Sequence, residues 1–205
     1  MKLLALETSS RVLKLAAFEA DTLKREVTVE APMRQNESLA PLFRTLLDTL
    51  VWKATELEAL AISLGPGSFA GLRSGLAFAK GLAYANGASL IGVSTLKAWA
   101  WPEQAEGALV WLDARNGQVY RGVYRAGVAL APESMLSLEE AKAEVFPGCR
   151  QVGDLPGLGG GCSAEAVGRL ALKRLALGEK DEAASLEPIY LRRAEAELLW
   201  EKRHV

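Results

Sequence analysis

The stretch that decides the fold is residues 64–75, LGPGSFAGLRSG, which continues into LAFAKG at residues 76–81. An uncharged run at residues 60–64 ends in this glycine-rich turn, and a helix follows it. Glycine permits the backbone angles and the close approach that a tight strand-to-helix turn requires. The pattern therefore predicts a strand–turn–helix unit of an α/β protein. Its turn is a glycine elbow formed by Gly65, Pro66, Gly67 and Ser68.

The helix predicted for residues 71–85 has almost no polar face, since Arg73 and Lys80 are its only charges. A large apolar stripe and a small-residue stripe (Ala77, Gly81 and Ala85) both run along it. A helix that packs on a sheet with one face normally shows polar residues on the other. Glycine inside a helix costs about 1 kcal/mol relative to alanine. The sequence therefore predicts close packing on both faces, the second against either the chain's own domain or a partner chain.

Composition indicates one soluble globular chain of 205 residues, with 50% hydrophobic and 24% charged residues. A net charge of −1 gives no general basic surface for nucleic acid. The apolar run at residues 1–7 is too short for a signal peptide, and no uncharged stretch is long enough to span a membrane. Cys149 and Cys162 form no CxxC pair. We expect a cytoplasmic protein with reduced thiols and no membrane contact.

Two segments of the chain look alike. Glu7 and Asp113 each end an apolar run and precede a short turn. Phe18 and Tyr124 are separated by the same number of residues as Glu7 and Asp113. Matches in register over some twenty residues indicate an internal repeat. The positions that would form phosphate loops in such a repeat are Glu7, Thr8, Ser9, Asp113 and Gly117.

The predicted element order of the first half is β-β-β-α-β-α-β-α. An amphipathic helix at residues 39–51 has Ser38 as its N-cap. The second half is predicted to hold three strands, a short helix after the capping box Ser137–Glu140, a strand at residues 150–152 and a helix at residues 163–177. A duplicated acid-tipped hairpin is the ground plan of the actin/Hsp70/sugar-kinase fold. We expect lobes at residues 1–101 and 102–205, with a last helix after residue 192 for which packing back on the first lobe is one arrangement.

Five stretches, in order, carry a resemblance to the bacterial TsaB (YeaZ) family: residues 4–9, 65–73, 92–96, 112–120 and 187–192. The block at residues 65–73 is the most specific of them. Three positions depart from the family pattern: Glu7 where Asp is usual, Ala70 where Thr is usual, and Asn36 where His is frequent. These departures weaken the case for direct nucleotide chemistry without disturbing the fold.

The resemblance implies a non-catalytic subunit of the machinery that makes threonylcarbamoyladenosine in tRNA. It implies binding to a TsaD-like catalytic paralogue together with a TsaE-like ATPase, and contact with tRNA only through that complex. This chain would require no cofactor, and ATP or ADP with Mg²⁺ would belong to the assembled complex. The resemblance places the interface on the helices at residues 39–51 and 71–85. Candidate positions are Leu39, Leu46, Leu50, Gly71, Leu72, Gly75, Leu76, Ala79 and Ala83. Alone, the same surface favours a symmetric homodimer.

A stand-alone ATP-dependent kinase or ATPase of the same fold is the main alternative. Its phosphate hairpin should have glycine after the acid, whereas Thr8 and Ser9 follow Glu7 here. A dinucleotide site at residues 65–70 is excluded because residues 59–102 contain no Asp or Glu. His204 is the single histidine, so no histidine-based metal site and no metalloprotease centre can form. An interaction module unrelated to tRNA is a third reading. A charged residue in place of Gly75 or Gly81 is expected to abolish partner binding while leaving the fold partly intact.

Overall fold

The computed structural model describes residues 1–30, 35–103 and 106–192. The strands are β1 (Lys2–Glu7), β2 (Val12–Glu19), β3 (Thr22–Glu30), β4 (Ala59–Gly65), β5 (Ser89–Ser94), β6 (Ala108–Arg115), β7 (Gln118–Arg125), β8 (Val128–Ser137) and β9 (Arg150–Gly153). The α-helices are α1 (Gln35–Leu50), α2 (Phe69–Asn86), α3 (Thr95–Trp99), α4 (Leu138–Ala143) and α5 (Ala164–Ala176). The predicted order of elements is confirmed in both halves.

The first sheet has the strand order β3-β2-β1-β4-β5, with antiparallel pairing from β3 to β1 and parallel pairing from β1 to β5. Every residue of β4 is buried, and β1 is buried from Leu3 onward. Strands that are apolar along their whole length are covered on both faces. Here α1 and α2 cover one face, and α5 with α3 covers the other.

The second sheet repeats this plan with the order β8-β7-β6-β9, in which β6 pairs antiparallel with β7 and parallel with β9. Helix α3 lies between the two sheets, since Ala98 packs in the core of the first and Leu96 in the core of the second. The carboxylate of Glu133 on β8 accepts hydrogen bonds from the hydroxyls of Ser94 and Tyr124 and so joins the sheets. The two-lobed actin/Hsp70-like class predicted from the repeat is confirmed.

Two local expectations need correction. Helix α1 begins at Gln35, so Ser38 lies inside the helix and is not its N-cap. Helix α5, which chain order placed in the second lobe, packs on the first sheet, where the ring of Phe18 lies against Gly168. A Cβ at Gly168 would come within 2.8 Å of the Phe18 ring, so the helix can lie this close only with glycine there.

The helix expected after residue 192 and the single histidine, His204, fall outside the described residues. Within the described ranges, no helix is long and apolar enough to cross a lipid bilayer.

Candidate functional site

Backbone N–H groups of the first hairpin turn, at residues 7–10, are already hydrogen-bonded within the chain. Glu7 is fully buried, and its Oε1 accepts the Ser9 N–H at 2.7 Å as well as the Ser9 hydroxyl. The N–H of Thr8 donates to Ser63 Oγ at 3.2 Å. A phosphate held in such a turn would need these N–H groups, which are already bonded to Glu7 and Ser63.

The glycine elbow closes over this turn. The Ser68 N–H donates to the Ser9 carbonyl at 2.6 Å, and Ser68 Oγ caps α2 by accepting the Gly71 N–H at 3.3 Å. A Cβ at Gly67 would lie 2.7 Å from the Ser9 Cβ, so only glycine permits this approach. Gly65 has φ +111°, and a Cβ there would lie 2.8 Å from the Ile189 carbonyl oxygen. The glycine elbow therefore packs directly on the first hairpin turn and seals it.

The Glu7 carboxyl is held in an apolar environment at the end of β1. Burial raises the pKa of Glu7, while the Ser9 hydrogen bonds and the Lys14 charge oppose that rise. Its second oxygen, Oε2, is buried without a partner in the described part of the chain. Lys14, opposite Glu7 on β2, donates its Nζ to the Cys162 carbonyl. Because its charged form is costly to bury, this acid is poorly placed to hold a phosphate-bound cation on the surface.

The second hairpin turn is open to solvent, in contrast to the first. Asp113 is exposed, and its Oδ1 accepts the Arg115 N–H at 2.7 Å, while its own N–H donates to Asp154 Oδ1 at 2.7 Å. Arg115, Asn116 and Gly117 all have positive φ angles, of 64°, 55° and 71°. Partial burial raises the pKa of Asp154, and the nearby charge of Asp113 adds to that rise. The two turns predicted to be phosphate loops are thus unlike, because the first is sealed and the second is exposed.

The candidate interface positions lie in the chain's own core. The large stripe of α2 packs with β1 and β4, because these side chains remove the most apolar area from water. Leu50 is partly buried against the same cluster. The buried members are Leu39, Leu46, Gly71, Leu72, Gly75, Leu76, Ala79 and Ala83. Since buried side chains cannot contact a second protein without unfolding, a partner that docks on these helices must use their other face.

The other face of α2 is exposed along the length of the helix. Apart from Phe69 at the first position of the helix, its exposed positions are Ala70, Arg73, Ala77, Gly81, Tyr84 and Ala85. A Cβ at Gly81 would meet no atom within 4 Å, and Tyr84 is 93% exposed. Nothing in the described chain therefore requires a glycine at position 81. We call these six residues the small-residue face.

A cluster of aromatic rings and a cation lies at the start of α2 and shares Arg73 with the small-residue face. The Arg73 guanidinium lies 3.8 Å from the Phe69 ring centroid, and its Nε donates to the Tyr190 hydroxyl at 3.0 Å. The rings of Phe69 and Tyr190 stack at 5.0 Å. Sequence reasoning missed this cluster, because Arg73 and Tyr190 are 117 positions apart. The stretches at residues 65–73 and 187–192 contain its members, but neither indicates that they meet.

Residues 181–192, which we call the strap, hold this cluster in place and cross both lobes. The Ile189 N–H donates to the Leu64 carbonyl at 2.7 Å, and Arg192 Nη1 donates to the Ala114 carbonyl at 2.7 Å. Asp181 anchors the strap's start through Arg174, with Nη2 to Oδ1 at 2.8 Å. Between α2 and the strap runs a groove of about 380 Å³, whose walls include Arg73, Lys80, Leu186 and Tyr190.

Among the described residues, no three His, Cys, Asp or Glu side chains are grouped as metal ligands would be. The duplicated sheets define a two-lobed protein of the actin/Hsp70-like class, in which the first hairpin turn is sealed and the second is open to solvent.

Comparison with known proteins assigns the family. The protein-family model for TsaD, tRNA N6-adenosine threonylcarbamoyltransferase, matches residues 30–148, more than half of the chain. Two curated relatives are named tRNA threonylcarbamoyladenosine biosynthesis protein TsaB. The Bacillus subtilis protein is 30% identical over 98% of both chains. The Escherichia coli protein is 33% identical over 61% of this chain and 55% of its own length, so that match spans about half of the relative.

Solved structures agree with this assignment. A Pseudomonas aeruginosa protein described as similar to peptidase YEAZ superposes with a TM-score of 0.81 and 28% identity, over 93% of this chain and 99% of its own. A second structure, YeaZ from Pseudomonas aeruginosa, gives a TM-score of 0.80 at 27% identity, with the same coverage. The chain belongs to the TsaB (YeaZ) family, as the sequence resemblance indicated.

Proposed function

We propose that this chain is a non-catalytic scaffold subunit of the tRNA threonylcarbamoyladenosine machinery, and that it binds a TsaD-like catalytic paralogue. The small-residue face of α2 is the observation that carries the proposal. It is exposed, uncharged except for Arg73, and continuous with the aromatic cluster at its N-terminal end. The names of the curated relatives support a place in this pathway.

Helix-on-helix docking is the contact that this face favours. Ala70, Ala77, Gly81 and Ala85 recur at helical spacing, so a partner helix could approach close to the α2 backbone. Gly81 costs the isolated helix about 1 kcal/mol relative to alanine, and nothing in the described part of the chain offsets that cost. A partner that uses the space above Gly81 would offset it.

The sealed first turn supports a role without catalysis. Phosphoryl transfer needs backbone donors that are free to hold the phosphates, whereas those of Thr8 and Ser9 bond to Ser63 and Glu7. We therefore propose that ATP or ADP with Mg²⁺, a TsaE-like ATPase and tRNA meet this chain only within the assembled complex, in the cytoplasm. Without its partner, the small-residue face would pair two copies of the chain into a homodimer.

Gly81→Arg tests the interface. Its side chain projects into open space and arginine favours a helix, so we expect unfolding temperatures equal to or above those of the parent. We expect affinity for the TsaD-like paralogue, measured by titration calorimetry, to fall at least about 100-fold because a buried guanidinium would lack a partner. Ala143→Arg, an equivalent change at an exposed position of α4, is the control and should bind like the parent.

Parent-like affinity of Gly81→Arg would refute the proposed interface. Gly75 is unsuitable for this test, although the sequence suggested it, because a side chain there would clash with Thr8 and damage the fold. Saturable ATP turnover by the purified chain alone would instead favour the kinase or ATPase alternative.

A further inference from the structure

The second lobe contains buried polar side-chain atoms that lack partners. Within the described residues, the buried side-chain atoms without a hydrogen-bond partner include Trp111 Nε1, Arg121 Nε, Ser134 Oγ and Glu144 Oε2. Arg121 is 8% exposed and Trp111 5% exposed. Buried polar groups in native proteins are almost always hydrogen-bonded, either to protein or to ordered water. Four such atoms in one lobe therefore require an explanation.

The sheet register brings these four side chains together. Trp111 on β6 pairs with Arg121 on β7, and Arg121 pairs in turn with Ser134 on β8. Residues directly opposite on antiparallel strands point to the same face, with Cβ atoms about 5 Å apart. The three side chains therefore form a row across the sheet. Val119 and Val123 lie on the same face, and Ala141 of α4 packs against it.

Glu144 joins this row from the C-cap position of α4. Its Oε1 accepts from Arg121 Nη2 at 2.8 Å, while Arg121 Nη1 donates to the Pro132 carbonyl at 2.9 Å. The guanidinium is thus bonded at both terminal nitrogens but not at Nε, and the carboxylate is bonded at one oxygen only. The Arg121 guanidinium carbon lies 5.9 Å from the centroid of the Phe146 ring.

We propose that this row is an internal hydration site, in which ordered water bridges the sheet to the end of α4. One water would accept from Arg121 Nε–H and donate to Glu144 Oε2. Because Arg121 lies between Trp111 and Ser134 in the row, a second water would accept from Trp111 Nε1–H and a third would bond to the Ser134 hydroxyl. Two N–H donors, one carboxylate oxygen and a hydroxyl match the partners that a buried water uses. An anion fits less well, because the Glu144 carboxylate already neutralises Arg121 and would repel a second negative charge.

A crystal structure of the intact chain, at about 1.5 Å and grown in sodium bromide, tests the ligand directly. We expect density peaks about 2.7–3.2 Å from Arg121 Nε, Glu144 Oε2 and Trp111 Nε1, without anomalous signal from bromide. A bromide peak at this position would show an anion site and overturn the proposal. Direct contact among the four side chains, with no density between them, would also overturn it.

Thermal unfolding of Ser134→Ala provides an independent measurement. If water bonds the hydroxyl, the variant loses that bond, and its unfolding temperature should fall by about 2–4 °C. If the hydroxyl is unsatisfied, its removal relieves a penalty, and an unchanged or higher unfolding temperature would contradict the proposal. Ser185→Ala, at an exposed position of the strap, is the matched control and should leave the unfolding temperature unchanged.

Discussion

The contact between Gly75 and Thr8 allows a quantitative test with two matched glycine substitutions on one helix. A Cβ at position 75 would clash with Thr8 Oγ1 and lie 2.8 Å from Thr8 Cγ2, whereas a Cβ at Gly81 would meet no atom of the described residues within 4 Å. Both glycines are interior to α2, so alanine gains about 1 kcal/mol of helix propensity at each position. The two variants therefore differ only in what the new methyl group meets.

Overpacking a buried position costs about 1–3 kcal/mol. The cost at Gly75 should lie at the upper end, because Thr8 is β-branched, only 1% exposed and fixed at the end of β1. Gly75→Ala should then lose about 2 kcal/mol net, which lowers the unfolding temperature of a chain this size by about 4–8 °C. Gly81→Ala should raise it by about 2–4 °C. Calorimetry at pH 7 measures both changes.

The Thr8 side chain is the proposed cause, and a double mutant isolates it. Adding Thr8→Ala to Gly75→Ala removes the two atoms that crowd the new methyl group, so the second substitution should restore part of the lost stability. Equal stability of Gly75→Ala and Gly81→Ala would refute the clash with Thr8. Simple additivity of the two changes at positions 8 and 75 would refute it as well.

Two further predictions concern pH. Burial raises the folded-state pKa of Glu7, so the parent loses stability as pH rises from about 4.3 through that raised pKa. The unfolding temperature of Glu7→Gln should therefore exceed that of the parent by more at pH 7 than at pH 4. An equal difference at both pH values would refute the raised pKa of Glu7. Arg174 lowers the pKa of Asp181, so this pair stabilises the fold above about pH 3.9 and that stability is lost as pH falls through the lowered pKa. Asp181→Asn should destabilise by about 1 kcal/mol at pH 7 and by less at pH 3 in thermal melts, whereas an equal loss at both would rule out the ion pair as the cause.

Features encoded by neighbouring residues were predictable from the sequence. The capping box at Ser137 forms as expected, because Ser137 Oγ accepts the Glu140 N–H at 3.1 Å and the Glu140 carboxylate accepts the Ser137 N–H at 2.9 Å. The start of α1 was misplaced because a serine inside a helix has the same sequence signature as one at its N-cap.

The buried face of a helix and the contacts between residues distant in sequence were not predictable. Helix α2 has almost no polar face, so its periodicity could not show which stripe meets the sheet. The buried stripe is the one that contains Leu72, Leu76, Ala79 and Ala83. Chain order placed α5 with the second lobe, although Gly168 of this helix lies against the ring of Phe18 on β2, in the first sheet. The row from Trp111 to Ser134 depends on strand register across three strands, which no local pattern specifies.

The central claim is that the exposed face of α2 binds a TsaD-like catalytic paralogue. The most direct measurement is size exclusion with light scattering on equimolar mixtures of that paralogue with the parent chain or with Gly81→Arg. We expect a stable complex with the parent, and separate species with Gly81→Arg under the same conditions. A parent chain that elutes apart from the paralogue at micromolar concentration, or a Gly81→Arg variant that still forms the complex, would contradict it.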